Sequence, residues 1–206
     1  MKKIFVISLF AILLSALQSF AQAPAKVFTE KDRDFALKYL NDTKADYIVQ
    51  LTNLSNKQLN FRAAEGRWTI AEIAEHITVV ETALFGTVTD KVLKSPVPEC
   101  KDPFRVADTA IILSVTNRQQ KFTAPEPVRP NGRWKTREDL ISSFEKTRNT
   151  TIDFIKNNQL DLRNHFGQAP MGTMDAYQWI LFMTGHSERH LAQLKEVKVD
   201  KKYPKK

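Results

Sequence analysis

Four stretches of this 206-residue chain repeat apolar side chains at three- and four-residue steps, and that spacing commits most of the sequence to helices packed on one another. In the first, Phe35, Ala36, Tyr39, Leu40, Tyr47, Ile48, Leu51 and Leu54 share a face behind a Thr29 cap, and the pattern runs out at Ser55 and Asn56. The second opens on Trp68-Thr69-Ile70-Ala71-Glu72-Ile73, the sharpest start signal in the chain. Thr69 can accept from the third helical amide, Glu72 can return the bond, and Trp68 can staple onto Ile73. Ile73, Ile77, Val80 and Leu84 then form the buried face. A third helix starts behind Thr136, carries Leu140, Phe144, Thr147, Thr151 and Ile155, and ends at Asn157-Asn158; a fourth runs from about Thr173 to Val197.

The connections are irregular. Ser95-Pro96-Val97-Pro98 breaks the chain before a shorter helical pattern from about Val106 to Gln119. Pro125, Pro127, Pro130, Asn131 and Gly132 then forbid regular structure between Phe122 and Trp134, and a loop with His165, Gly167, Pro170 and Gly172 precedes the fourth helix. Four long amphipathic segments with two long crossings predict an all-α four-helix bundle. Trp68, Trp134 and Trp179 read as core or loop anchors, because large aromatics bury much area and need one hydrogen bond.

The ends are expected to lie outside that domain. Lys2 and Lys3 precede an apolar run from Ile4 to Leu17, followed by small residues around Ala21 and Ala23. This reads as a secretory signal peptide over residues 1–21, cleaved after Ala21 because a cut after Ala23 would set Pro24 against the scissile bond. The run is shorter than the ~20 residues a spanning helix needs, so no membrane span is expected after cleavage. The bundle is then assigned to residues 22–197, and residues 198–206 to a solvated basic tail. The predicted location is exported, periplasmic or secreted.

Charge narrows the partners. The formal charge is +8, but the signal holds two of the lysines and the tail five with one aspartate, leaving 24 basic and 22 acidic residues in the body. A nucleic-acid face needs a basic stripe on the folded part, and none is visible. Cys100 is the sole cysteine, which excludes a disulfide framework, a zinc ribbon and an iron–sulfur cluster; it is read as an inert, partly buried thiol. Any metal must therefore be held by His, Asp or Glu.

His186 and His190, four apart, lie on the stripe Trp179, Met183, His186, His190, Gln193 and Val197, so both imidazoles point inward from one face. His76, on the second helix beside Ile73, Ile77 and Val80, is the candidate to complete the site. Three neutral imidazoles suit Zn or Ni, with Fe(II) also compatible, and leave positions open as catalytic rather than closed structural zinc does. His165, beside Phe166 and Gly167, is expected to be exposed or to bond within its loop. Glu72 is a candidate general base, against a competing reading in which its carboxylate caps the helix. Arg189 lies about 100° from each neighbouring histidine and is expected to contact an adjacent element; Gln193 can bond to a ligand ring, to bound water or across helices.

Trp68-Thr69-Ile70-Ala71-Glu72-Ile73-Ala74-Glu75-His76 and, about a hundred residues later, His186-Ser187-Glu188-Arg189-His190-Leu191-Ala192-Gln193 together resemble the DinB/YfiT-like family. Its pattern is Trp-(Ser/Thr)-x-x-Glu-x-x-x-His followed by His-x-x-(Arg)-His-x-x-Gln. Ala124-Pro125-Glu126-Pro127, Pro130-Asn131-Gly132, the Arg148 helix and Gly172 before Trp179 are similar to its middle region. The resemblance implies an up-down-down-up bundle with a divalent ion on three histidines, carried here to His76, His186 and His190. Some relatives are metal-dependent thiol transferases using bacillithiol or mycothiol, and many have no assigned activity.

Two functions follow as expectations. One is a divalent-metal-dependent enzyme, hydrolase or thiol S-transferase, acting on a small molecule; an exported location favours water over a cytosolic thiol. The other is a non-catalytic metal- or small-ligand-binding bundle, with the ion mainly structural as a variant of it. A homodimer through exposed helix faces is compatible with either.

Overall fold

The computed structural model describes residues 27–97, 106–169 and 171–205. The proposed signal peptide and Cys100 lie outside the described residues. The described chain is mostly helical: α1 Glu30–Leu51, α2 Asn56–Leu59, α3 Ile70–Asp90, α4 Asp108–Thr116, α5 Arg137–Asn157 and α6 Ala176–Lys198. One antiparallel ribbon, β1 Phe166–Ala169 and β2 Gly172–Asp175, precedes α6.

Local chemistry sets the helix starts. Thr29 with Asp32, Ser55 with Gln58, Thr69 with Glu72 and Asp175 with Gln178 form reciprocal capping boxes on α1, α2, α3 and α6, and Thr136 accepts from the Asp139 amide at α5. Each such cap is worth about 1 kcal/mol. Helix ends differ more from expectation. The apolar pattern of α1 continues to Leu54, yet the helix stops at Leu51 because Asn53 turns to a φ of 62°, the left-handed conformation that closes helices. Ser55, read as a breaker, instead starts α2.

The segment read as a loop around Gly167 and Gly172 is the β1–β2 hairpin, paired from Phe166 with Asp175 to Ala169 with Gly172. Gly167 is required there by space: a Cβ would stand 2.7 Å from Val92 Cγ2 and 3.2 Å from Trp179 Nε1. Asp175 accepts from the Gln178 amide at 2.8 Å, which moves the start of α6 from Thr173 to Ala176. The end expected to be solvated folds back. Tyr203 meets Phe61 edge-on with centroids 5.5 Å apart, and Gln58 Nε2 donates to the Pro204 carbonyl at 3.1 Å.

Helix α1 packs on α5 and α6, and α3 packs on the same two; α4 lies on α6. Two apolar clusters divide the interior. Tyr47, Leu51, Ile70, Ile73, Ile77, Leu140, Phe144, Leu191 and Leu194 join the late part of α1, the early parts of α3 and α5, and the late part of α6. Ala36, Leu40, Val88, Ile111, Ile155, Ile180 and Met183 join the opposite ends.

On all four long helices, the residues between these clusters carry a buried polar hub. Arg148 Nε and Nη2 each donate to Glu81 at 2.6 Å; Nη1 donates to the Leu40 carbonyl at 2.7 Å and to Thr43 Oγ1, and Nη2 also reaches Ser187 Oγ at 3.1 Å. All five guanidinium protons have acceptors. Both members of the pair are at most 1% exposed. A second buried arginine, Arg163, binds Asp32, Asp108 and Asp175, fastening the starts of α1, α4 and α6 at one end.

Removing one member of a buried ion pair strands the other charge, so Arg148→Met is expected to lose about 3–5 kcal/mol of stability in urea unfolding. The double variant Arg148→Met with Glu81→Met should regain a large part of it.

Candidate metal centre

Helices α3 and α6 bring three of the four histidines together. His76 comes from the second turn of α3, and His186 and His190 from successive turns of α6. Ring centroids stand 4.4 Å apart for His186 and His190, 4.7 Å for His76 and His190, and 5.2 Å for His76 and His186. One ring nitrogen from each lies within 4.8 Å of the other two.

Two of the rings are aimed by hydrogen bonds from outside the group. His76 Nδ1 is 2.7 Å from the Val128 carbonyl, and His190 Nδ1 is 2.8 Å from Gln193 Oε1. A carbonyl oxygen only accepts, so each Nδ1 carries the proton and each Nε2 keeps a free lone pair. That is the usual support behind a metal-binding imidazole. The Trp68 ring closes one side, 4.7 Å from His76 and 6.3 Å from His190.

The imidazoles are held neutral. Burial pushes His76 below its ordinary value, with the Val128 bond pulling partly back. His186 lies well below, through burial first and then the neighbouring His190 and His76. His190 is pushed down to about 3 by burial and by His76, against an opposing pull from Gln193.

The acid that precedes His76 was not singled out from the sequence. Glu75, 2% exposed, accepts from the amides of Asn131 and Gly132 and from Arg133 Nη1, each at 2.9 Å. Those bonds pin the turn after the short 3₁₀ segment Glu126–Val128, whose last carbonyl meets His76. Helix periodicity places Glu75 beside the buried stripe without naming a partner; Asn131-Gly132 looked only like a breaker.

Other candidates stand apart. Glu72 accepts from the Thr69 amide and from Arg62 Nη2, both at 2.7 Å, which hold its carboxyl below the usual range although burial acts upward. It is not in the converging group. Arg189 turns away to the carbonyls of Asn117 and Gln120 and lies over the Phe122 ring. His165 Nδ1 is 2.8 Å from the Ser95 carbonyl, in the hairpin region.

A model of the DinB superfamily matches residues 29–194. The uncharacterized protein YuaE of Bacillus subtilis (strain 168) is 23% identical over 172 residues, which cover 79% of this chain and 96% of that protein. No solved structure matches significantly.

The neutral rings make the metal-free fold acid-sensitive. Above pH 6.5 folded and unfolded imidazoles are alike; below it the unfolded chain takes up protons that the fold refuses, so stability falls. Asp175, raised to about 6 by burial, works in the opposite direction below that value, because its protonated form is favoured in the fold. Denaturant midpoints should therefore drop from pH 7 to pH 5, and a triple His→Gln variant should flatten the slope. Separately, Glu75→Gln would set an amide donor against a backbone N–H. Amide exchange at Asn131 and Gly132 is expected to quicken at least about tenfold.

Proposed function

The chain belongs to the DinB superfamily, and from that membership and the converging imidazoles we propose a divalent-metal-dependent enzyme with His76, His186 and His190 as ligands. The observation that carries the reading is the meeting of three ring nitrogens within 4.8 Å, from helices joined by a hundred residues of chain. Their chemistry fits a borderline divalent ion such as Zn, Ni or Fe(II): all are neutral nitrogens, two already hold the tautomer that frees Nε2, and a three-ligand set leaves positions open. When bound, such an ion supplies Lewis acidity and lowers the pKa of a water or thiol near it.

The protein's own groups do the positioning. The Val128 carbonyl and Gln193 keep the proton on Nδ1 of His76 and His190. Trp68 covers the rings on one side and limits water there. Glu72 orders the start of the helix that carries His76; acting as a base would require it to leave Arg62 and the Thr69 amide. The reaction in this reading is hydrolysis or transfer to a thiol, with water favoured because residues 1–21 are read as an export signal. The architecture proposed is an up-down-down-up four-helix bundle, supported by the two apolar clusters, which join late α1 and α6 to early α3 and α5.

A non-catalytic metal- or ligand-binding bundle is the second reading. It is favoured by the composition of the converging group, which among the described residues contains histidines alone and no carboxylate to move a proton.

Metal analysis and calorimetric titration with Zn and Ni are expected to give one ion per chain, with His186→Ala losing stoichiometric binding. Turnover of ester, amide or thiol-acceptor substrates by the loaded protein, absent in that variant, supports the enzyme. Tight metal without turnover supports the second reading, and absence of stoichiometric metal sinks both.

A further inference from the structure

A cleft of about 260 Å³ opens beside the histidines, between the segment before α3 and the end of α6. It shares two side chains with the group just described. Trp68 forms part of its wall while stacking near His76 and His190, and Gln193 lines it while bonding to His190. Whatever occupies the cleft therefore lies one side chain away from the rings.

The rest of the lining is divided between methyl groups and charge. Ala63, Ala64 and Val197 make an apolar wall. Glu196 is committed, because Arg118 holds it with bonds of 2.8 and 2.7 Å. Arg118 first, and then at longer range Arg67 and Arg189, favour its ionised form. Asp200 is the other acid in the lining, and it is followed at once by the exposed Lys201 and Lys202. Arg67 is the cation of the lining: it is exposed, and its side chain acts on Glu196 through its charge but makes no ion pair or hydrogen bond among the described residues. Only its backbone is engaged, to Ala64 and Arg62.

Resting on the reading of the histidines as a metal-dependent centre, we infer that this cleft receives a small substrate bearing a carboxylate, with Arg67 as the anchor and Trp68 and the alanines against its short apolar body. A guanidinium fork matches a carboxylate with two parallel bonds. Arg118 neutralises Glu196, so the pull on the anion is local to Arg67, and the apolar wall favours an alkyl chain over a fully hydrated ion. Arg67 is thus a specificity residue, and the reacting part of the substrate is the end remote from its carboxylate.

The test uses hexanoate, hexanamide and hexylamine, alike in chain length and different in charge, titrated into the zinc-loaded protein. Chemical shifts of Ala63, Ala64, the Trp68 indole and the Gln193 side chain report binding. Hexanoate is expected to move all four and to bind about tenfold more tightly than hexanamide, with hexylamine weakest. Arg67→Gln should remove that tenfold preference and leave hexanamide unchanged, Arg67→Lys should restore part of it, and Lys94→Gln, in the turn beyond the far end of α3, should change nothing. Equal binding of the amine, or hexanoate binding indifferent to Arg67→Gln, overturns the inference. Repeating the titration after metal removal separates the two readings. Binding that still depends on Arg67 in a protein that takes up no zinc keeps the cleft and defeats the metal centre. Binding that vanishes with the metal and ignores Arg67 is coordination by the ion, and defeats the cleft.

Discussion

Arg148 ties together the four long helices on which everything else depends. Its guanidinium spans from α5 to Glu81 on α3, to Leu40 and Thr43 on α1, and to Ser187 on α6. A fully buried cation is tolerable only when every donor is satisfied, so the pairing permits few registers of the helices. The apolar clusters on either side supply the burial energy, but hydrophobic contact is not directional and permits sliding. The hub is directional. Ser187 follows His186 directly, so the interaction that sets the register of α6 also sets the depth of the ring beside it.

Helix α3 illustrates how position along one element divides labour among similar side chains. Glu72 closes a capping box, Glu75 holds the turn at Asn131 and Gly132, and Glu81 neutralises Arg148. Between them His76 faces the histidines of α6. The proline-rich crossing, which bears no regular structure beyond one 3₁₀ turn, gains its order from Glu75 and returns the Val128 carbonyl to His76. The segment with the least internal structure thereby sets the tautomer of one ring.

Much of this could be read from the chain alone where the signal was local. The caps at Thr29, Thr69 and Thr136 were placed because a capping side chain bonds to an amide three residues away. The inward direction of His186 and His190 followed from their place on a stripe of apolar residues, and His76 from its place beside Ile73 and Ile77. The errors arose where neighbours distant in sequence decide. The hairpin at Phe166 looked like a loop because its strands are four residues long and interrupted by glycine; packing on Val92, Ser95 and Trp179 supports them. The tail looked solvated because it is rich in lysine, and Lys201, Lys202 and Lys205 are indeed exposed, while Tyr203 docks on Phe61. Glu75, Glu81 and Arg163 gave no sign of their partners.

The amino-acid sequence by itself determined where helices begin, which faces they bury and which imidazoles point inward, because those properties repeat with the period of the backbone and are fixed within a few residues. Only the tertiary structure decided which buried charge meets which, that a carbonyl from the crossing orients His76, and that a cleft lined by an exposed arginine opens beside the rings. Those outcomes depend on distances between elements, and no local period encodes them.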